Sequence, residues 1–206
     1  MIINMTTFAG RQKHYIDRTL DFLSKSDGRD IPVNLILGSY DTSHVEKYRG
    51  VVNFVLWNEA AEADSIPGDL RRNCTLNAVR ALRYGDDDQC LCCEDDIGFN
   101  PDWYSQLQLT LEEIEEREYI LNLGQGSEAS ADKRYALHTQ RLLTGAQGIF
   151  YPRKKLRNAV AGFVYQNKHV GINDHLIGRF GKKYSTLYNT VPPLIWHIGQ
   201  ISSFHR

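Results

Sequence analysis

Three consecutive acids, Glu94, Asp95 and Asp96, end a short apolar run in the segment CLCCEDDIGF. Adjacent carboxylates repel one another and raise one another's pKa, so the cluster needs a physical reason. A divalent cation would remove the repulsion and supply the positive charge that a bound diphosphate needs, and oxygen ligands favour Mg²⁺ or Mn²⁺. The other explanation is a solvated loop whose acids cap the next helix.

The elements that must position these acids alternate in type along the first half of the chain. Apolar runs predict strands over residues 1–6, 31–38, 51–57 and 89–93. Apolar faces and cap residues predict helices over residues 13–24, from Asp69 to Gly85, and after Asn100–Pro101. This order predicts an α/β fold with a mainly parallel sheet flanked by helices. Such sheets bind ligands at the carboxyl ends of their strands, where the three acids fall.

The second half of the chain is less regular. Strands are predicted over residues 119–124, 148–152 and 184–189, and helices over 153–161 and around 173–180. The polar stretch 125–141 predicts a mobile loop that contains a short strand. We find no internal repeat and no linker between these segments, so a single domain is expected.

Composition sets the class of protein. The 206 residues are 42% hydrophobic and 24% charged, which is ordinary for a globular domain. A net charge of −1 gives no global attraction to nucleic acid. The N-terminus lacks the apolar region of a signal peptide, and no window reaches the roughly 18 apolar residues of a membrane span, so a cytoplasmic protein is expected.

The four cysteines are Cys74, Cys90, Cys92 and Cys93. The last three share one predicted strand, where neighbours point to opposite faces, and their spacing is not that of a zinc site. We expect reduced, buried thiols.

Two motifs give the sequence a family resemblance. LCCEDDIGFNPDWY resembles the DxD region of GT-A glycosyltransferases. PPLIWHIGQISS resembles the His-x-Gly-x-x-Ser-Ser ending of the branching N-acetylglucosaminyltransferase IV type, and GAQGIFYPR and INDHL stand in the matching order between them. The resemblance implies a single GT-A (Rossmann-like) domain, with residues 1–98 as the nucleotide-binding half and residues 99–206 as the acceptor-side half. It also implies a nucleotide-diphosphate sugar donor, with a UDP-sugar first, and Mn²⁺ or Mg²⁺ as cofactor.

The same resemblance assigns roles to four residues. Asp96 becomes the direct metal ligand, His197 a second metal ligand, and Glu94 a contact of the donor sugar or ribose. Asp174 becomes the base that takes the proton of the acceptor hydroxyl, in a single displacement with inversion. The alternatives are a satisfied core histidine at position 197 and a helix-capping acid at position 174.

Further contacts of the nucleotide or donor sugar are expected at strand ends and on the helix before the acidic strand. They are Thr6, Thr7, Arg11, Tyr40, Asp41, Arg72, Asn73, Asn77, Asp95 and Gln147. Each of them is otherwise an ordinary surface residue. The small residues 145–148 would let the backbone approach the sugar, or form a tight turn.

The acceptor is left open by these motifs. The chain is short and lacks the anchor and stem of Golgi branching enzymes, so a bacterial or phage enzyme is expected. Its acceptor would be a glycan, a lipid-linked sugar, a protein or a modified DNA base. A set of basic residues in the second half either contacts acceptor phosphates or is ordinary solvated charge: Arg134, Arg141, Arg153, Lys154, Lys155, Arg157 and Lys168.

Two other classes of function remain as alternatives. One is a metal-dependent nucleotidyltransferase or phosphohydrolase, which also places acids at a strand end but would cleave between phosphates. The sequence has no GxxxxGK[ST] phosphate loop and no second acidic cluster for a two-metal site. The other is a non-catalytic module that binds a nucleotide sugar without turnover.

Overall fold

The computed structural model describes residues 1–7, 15–38, 41–56, 69–124, 133–140, 143 and 147–199. The strands are β1 (Ile2–Thr7), β2 (Val33–Leu37), β3 (Asn53–Leu56), β4 (Cys90–Glu94), β5 (Ile97–Phe99), β6 (Tyr119–Asn122), β7 (Tyr135–Leu137), β8 (Gly148–Tyr151), β9 (Thr186–Thr190) and β10 (Ile195–His197). The α-helices are α1 (Ile16–Ser24), α2 (Leu70–Arg83), α3 (Trp103–Glu113), α4 (Lys154–Gln166) and α5 (Asn173–Tyr184).

An eight-stranded sheet in the order β3-β2-β1-β4-β8-β6-β9-β7 forms the centre of the fold. β1 pairs in parallel with β2 and β4, β2 with β3, and β6 with β9. β8 runs antiparallel to both of its neighbours, and β7 runs antiparallel to β9. The predicted α/β fold with a mainly parallel sheet is confirmed, and the reversed strand β8 joins two parallel groups.

Helices cover both faces of this sheet because alternate strand residues point to opposite sides. Leu91 and Phe150 pack on one face with Trp103 of α3. Ile149 packs on the other face with Val160 of α4. No helix in the described residues is long and apolar enough to cross a membrane.

Local signals for the helix ends were only partly informative. Asp69 caps α2 as predicted, and its carboxylate accepts a hydrogen bond of 3.0 Å from the Arg72 backbone N–H. Helix α4 runs on to Gln166, past the predicted end, because Val164 continues its buried face. The predicted cap at Asn100 is wrong. Its side-chain amide donates to the Pro193 carbonyl at 2.9 Å, and α3 begins three residues later.

Arg157 fits neither interpretation of the basic residues of the second half, contact with acceptor phosphates or solvated charge. Its side chain has no exposed area. The guanidinium donates to the carbonyls of Tyr84 at 3.0 Å, Gly85 at 2.9 Å and Asp87 at 3.2 Å, just beyond the end of α2. Arg157 is therefore a structural link between α4 and the segment that leads into β4.

Three other basic residues of that set have acidic side chains as partners. Arg134 pairs with Glu113, and Lys154 pairs with Asp86. Arg153 lies 3.9 Å from the carboxylate of Asp88. Arg141 lies outside the described residues.

Replacing Arg157 with alanine should lower the free energy of unfolding by about 3 kcal/mol, because buried carbonyls lose their charged donor. Lys155→Ala on the exposed face of the same helix is the matched control and should change the free energy by less than about 0.5 kcal/mol. Urea unfolding followed by circular dichroism measures both. Equal midpoints for the two variants would contradict the structural assignment of Arg157.

Candidate functional site

The acidic cluster forms the connection between β4 and β5. Asp95 is 1% exposed, and its carboxylate accepts a hydrogen bond of 2.5 Å from the Thr7 hydroxyl at the end of β1. The Thr19 hydroxyl of α1 donates to the Asp95 main-chain carbonyl at 2.8 Å. Asp95 thus holds the turn from inside the protein. Its predicted contact with a nucleotide stays a prediction.

Asp96 and His197 lie side by side, although 101 residues separate them in sequence. Strand β10 pairs antiparallel with β5 and places His197 opposite Ile97, and the Ile198 N–H donates to the Asp96 carbonyl at 2.8 Å. His197 Nε2 is 3.1 Å from Asp96 Oδ2. The Asp96 side chain is 5% exposed and that of His197 is 39% exposed, so the pair opens to solvent on its histidine side.

The ribbon of β5 and β10 depends on two glycines. A Cβ atom on Gly98 would overlap the indole ring of Trp196, and one on Gly148 would overlap the side chain of Ile195. The outer side of the Trp196 ring meets Phe22 edge-on, with ring centroids 5.1 Å apart. A side chain at position 98 would displace the Trp196 ring, and one at position 148 would make the end of the Ile195 side chain move, so glycine at both positions favours close approach of the C-terminal segment.

A third glycine lies directly against the Asp96–His197 pair. A Cβ atom on Gly199 would lie 2.5 Å from Asp96 Oδ2 and 2.6 Å from His197 Nε2. The absence of a side chain leaves room at these two atoms.

The pair fits a divalent cation of the Mn²⁺ or Mg²⁺ type. A carboxylate oxygen and an imidazole nitrogen suit Mn²⁺, and an octahedral ion with bonds of about 2.1 Å holds adjacent ligands about 3 Å apart. Two protein ligands leave positions for phosphate oxygens and water. Within the described part of the chain, no group of three or more His, Cys, Asp or Glu side chains is placed to bind a metal.

The end of β1 brings several predicted residues to the same edge. Thr6 is in register with Glu94 of β4, and its hydroxyl donates to the Cys93 carbonyl at 3.3 Å. The Asn77 amide of α2 reaches the Thr7 carbonyl at 3.5 Å. These contacts gather β1, β4 and α2 around the acidic turn.

Glu94 is half-buried, and two further elements approach it. The Glu94 N–H donates to the Gln147 carbonyl at 3.2 Å. The first residue of α5, Asn173, lines a cavity of about 30 Å³ together with Thr6 and Glu94. Asp174 is the next residue in the first turn of that helix and is half-buried. The predicted base is therefore on a helix that begins at the acidic edge.

The remaining predicted residues are less central or lie outside the description. Arg72 and Asn73 are half-buried near the start of α2. Asp41 is exposed, and its carboxylate accepts a hydrogen bond of 3.0 Å from the Ser43 N–H. Of the residues predicted to contact the nucleotide or the sugar, Arg11, Tyr40, Gly145 and Ala146 lie outside the described residues.

The acids have a direct electrostatic effect on the thiol behind them. Burial raises the pKa of Cys93 well above its usual value, and electrostatic interactions with Cys90, Asp95, Glu94 and Asp96 raise it further. Cys93 is therefore a neutral thiol. None of the four cysteines forms a disulfide, as predicted. Cys90 and Cys93 are buried, whereas the other two, predicted to be buried, are half-buried.

Two residues of this site had no assigned role in the sequence. Thr19 is a polar residue on the apolar face that Ile16 and Leu23 define, and a polar residue in such a place was the available signal. Gly199 belongs to the HIGQISS segment, but the need for glycine there depends on Asp96, which is distant in sequence.

No protein-family model and no curated protein matches the sequence. Solved glycosyltransferase structures do match the fold. TarS of S. aureus in complex with UDP-GlcNAc matches with a TM-score of 0.58 and 15% identity, over 98% of this chain and 60% of that chain. The apo form of the glycosyltransferase GlyE of Streptococcus pneumoniae TIGR4 matches with a TM-score of 0.58 and 12% identity, over 98% of this chain and 54% of that chain.

The galactosyltransferase LgtC, in complex with donor and acceptor sugar analogs, matches with a TM-score of 0.62 and 12% identity, over 100% of this chain and 90% of that chain. The chain spans 37% of the length of another TarS structure. These likenesses confirm the predicted GT-A fold. The resemblance to the N-acetylglucosaminyltransferase IV type stays a prediction.

Removing the Thr7 hydroxyl by Thr7→Val should lower the free energy of unfolding by about 2 kcal/mol, since the buried Asp95 carboxylate loses a donor. The neighbouring Thr6→Val variant is the control, because its longer hydrogen bond to a carbonyl is half-exposed and should be worth less than about 1 kcal/mol. Chemical denaturation compares the two. A larger loss for Thr6→Val would show that Thr7 does not hold the turn.

Proposed function

We propose that this chain is a metal-dependent glycosyltransferase that moves a sugar from a nucleotide-diphosphate donor to an acceptor hydroxyl. The observation that carries the proposal is the pairing of Asp96 with His197 at the carboxyl edge of a GT-A fold. Ligands of open α/β sheets bind at that edge. The TarS complex with UDP-GlcNAc supports a UDP-sugar as the first donor to test, and the LgtC complex supports a saccharide acceptor.

Asp96 and His197 are the proposed ligands of Mn²⁺ or Mg²⁺. Held by these two residues, the ion would supply Lewis-acid chemistry to the departing diphosphate. The chain itself fixes the two ligands: the Ile198 N–H holds the Asp96 main chain, and the β5–β10 pairing holds the His197 main chain. Gly199 keeps the space at their two coordinating atoms open.

Asp174 is the proposed base. An alcohol becomes a good nucleophile as its proton leaves, and a carboxylate of Asp174 would accept that proton as the new bond to the anomeric carbon forms. Attack on the face opposite the leaving diphosphate gives inversion in a single displacement.

Each half of the chain would then supply part of the site. Residues 1–98 supply Asp96 and the proposed donor contacts of β1, α2 and β4, among which Thr6 of β1 and Glu94 of β4 share a cavity. Residues 99–206 supply His197 and Asp174. Thr7 and Asp95 would also act on the site through the turn that they hold.

The metal site makes a calorimetric prediction. UDP should bind about tenfold or more tightly with Mn²⁺ than with EDTA, and Asp96→Asn and Gly199→Ala should each remove that difference. Gly162→Ala is the matched control, because a Cβ atom there meets nothing within 4 Å, and it should bind UDP like the wild type. An affinity of the wild type for UDP that is the same with Mn²⁺ and with EDTA would contradict the metal proposal.

Asp174→Asn tests the base separately. UDP affinity should stay at the wild-type level, while sugar transfer should fall by about 100-fold to 10,000-fold. UDP release from UDP-sugars is measured against a panel of saccharide acceptors, with Asp102→Asn at the start of α3 as the control. Transfer retained in Asp174→Asn would exclude it as the base. Cleavage between the phosphates by the wild type would favour the phosphohydrolase instead.

A further inference from the structure

A larger cavity of about 690 Å³ opens beside the first turn of α5. One side is formed by Asp69, Arg71 and Arg72 at the start of α2. The other side is formed by residues 168–172, which connect α4 to α5, and by His175. We refer to it as the basic cavity.

The basic cavity lies at the same edge of the sheet as the acidic turn. Helix α2 runs antiparallel to β1: Gly85, just beyond its end, lies against Ile2 at the start of β1, whereas Asn77 reaches Thr7 at the end of β1. The start of α2 therefore lies beyond the carboxyl ends of the strands. The start of α5 lies there too, because Asn173 shares a cavity with Glu94.

Positive charge is concentrated in the basic cavity. Arg71, Arg72 and Lys168 line it together with His169 and His175, against the single acid Asp69. The net charge of the whole chain is −1, so this excess is local. Guanidinium and ammonium groups suit a phosphate oxyanion.

The ammonium of Lys168 is held in place by an aromatic neighbour. It lies 3.8 Å from the centre of the Tyr165 ring and donates to the Tyr165 carbonyl at 3.3 Å. Arg134, Arg153 and Lys154 of the predicted basic set have acidic partners. Of the described members of that set, Lys168 lines the basic cavity.

We propose that the basic cavity binds a phosphate group of the acceptor, so that the acceptor is a phosphorylated or phosphate-linked saccharide. This inference rests on the proposed glycosyltransferase function. His175, which lines the cavity, directly follows Asp174 in the first turn of α5. A phosphate held there would bring the attached sugar to the helix start that carries the base. A volume of 690 Å³ is enough for a phosphate and a sugar ring.

The test uses glucose 1-phosphate as the probe, with glucose as its uncharged counterpart. Calorimetry at low ionic strength is run on the whole chain, alone and with UDP and Mg²⁺ present. Glucose 1-phosphate should bind in both conditions, and glucose should bind much more weakly. The double variant Arg71→Gln/Lys168→Gln should weaken binding of glucose 1-phosphate by about tenfold or more, since two charged donors are lost.

Lys155→Gln/Lys183→Gln is the matched control, because it removes two exposed cations outside the cavity. It should leave binding of glucose 1-phosphate unchanged, and neither double variant should change the affinity for UDP. An equal loss in the control would overturn the site. Displacement of glucose 1-phosphate by UDP would assign the cavity to the donor and overturn the acceptor role.

Two further outcomes separate this inference from the function on which it rests. In the first outcome, UDP does not bind with any metal, but glucose 1-phosphate still binds and depends on the cavity residues. This result would overturn the transferase function and the acceptor role, and it would leave the phosphate site standing. A short single-stranded DNA that binds through Arg71 and Lys168 while glucose 1-phosphate does not would overturn the saccharide acceptor in favour of nucleic acid.

Discussion

The antiparallel pairing of β10 with β5 is the constraint on which the candidate site depends. It brings residues from the two ends of the second half together. Main-chain hydrogen bonds beside the pairing add to it: the Asn100 N–H donates to the Leu194 carbonyl at 3.1 Å, and the Leu194 N–H donates to the Leu123 carbonyl at 2.8 Å. The entropy of closing so long a loop grows only slowly with its length, so a few well-placed contacts hold the segment. Without the pairing, Asp96 would have no histidine beside it.

The same constraint explains how three adjacent acids are tolerated. Asp95 turns inward to the hydroxyl of Thr7, and Asp96 turns toward His197. Glu94 stays at the half-buried end of β4. Each carboxylate thus has its own surroundings, which limits the repulsion that their order in sequence suggests. The arrangement leaves Asp96 as the acid nearest to a metal-binding partner.

The parts of the molecule that follow from local sequence were predictable. Apolar periodicity indicated the long strands and helices, and Asp69 marked the start of α2. The three-residue strands β5 and β10 are too short to show a period, and the contact of Trp196 with Gly98 joins positions that are distant in sequence. The buried position of Arg157 was equally hidden, because the carbonyls that it binds are about 70 residues away in sequence.

The position of the proposed base depends on how closely α5 packs. A Cβ atom on Gly178 would lie 2.8 Å from Leu143 Cβ, and one on Gly181 would lie 3.1 Å from Leu187 Cβ. Gly181 lets the helix approach strand β9 of the sheet, and Gly178 lets it approach Leu143, which lies outside the strands. The first turn of α5 reaches both Glu94 and the basic cavity. Asp174 stands in that turn between Asn173 and His175. One closely packed helix therefore links the proposed donor side of the site to the proposed acceptor side.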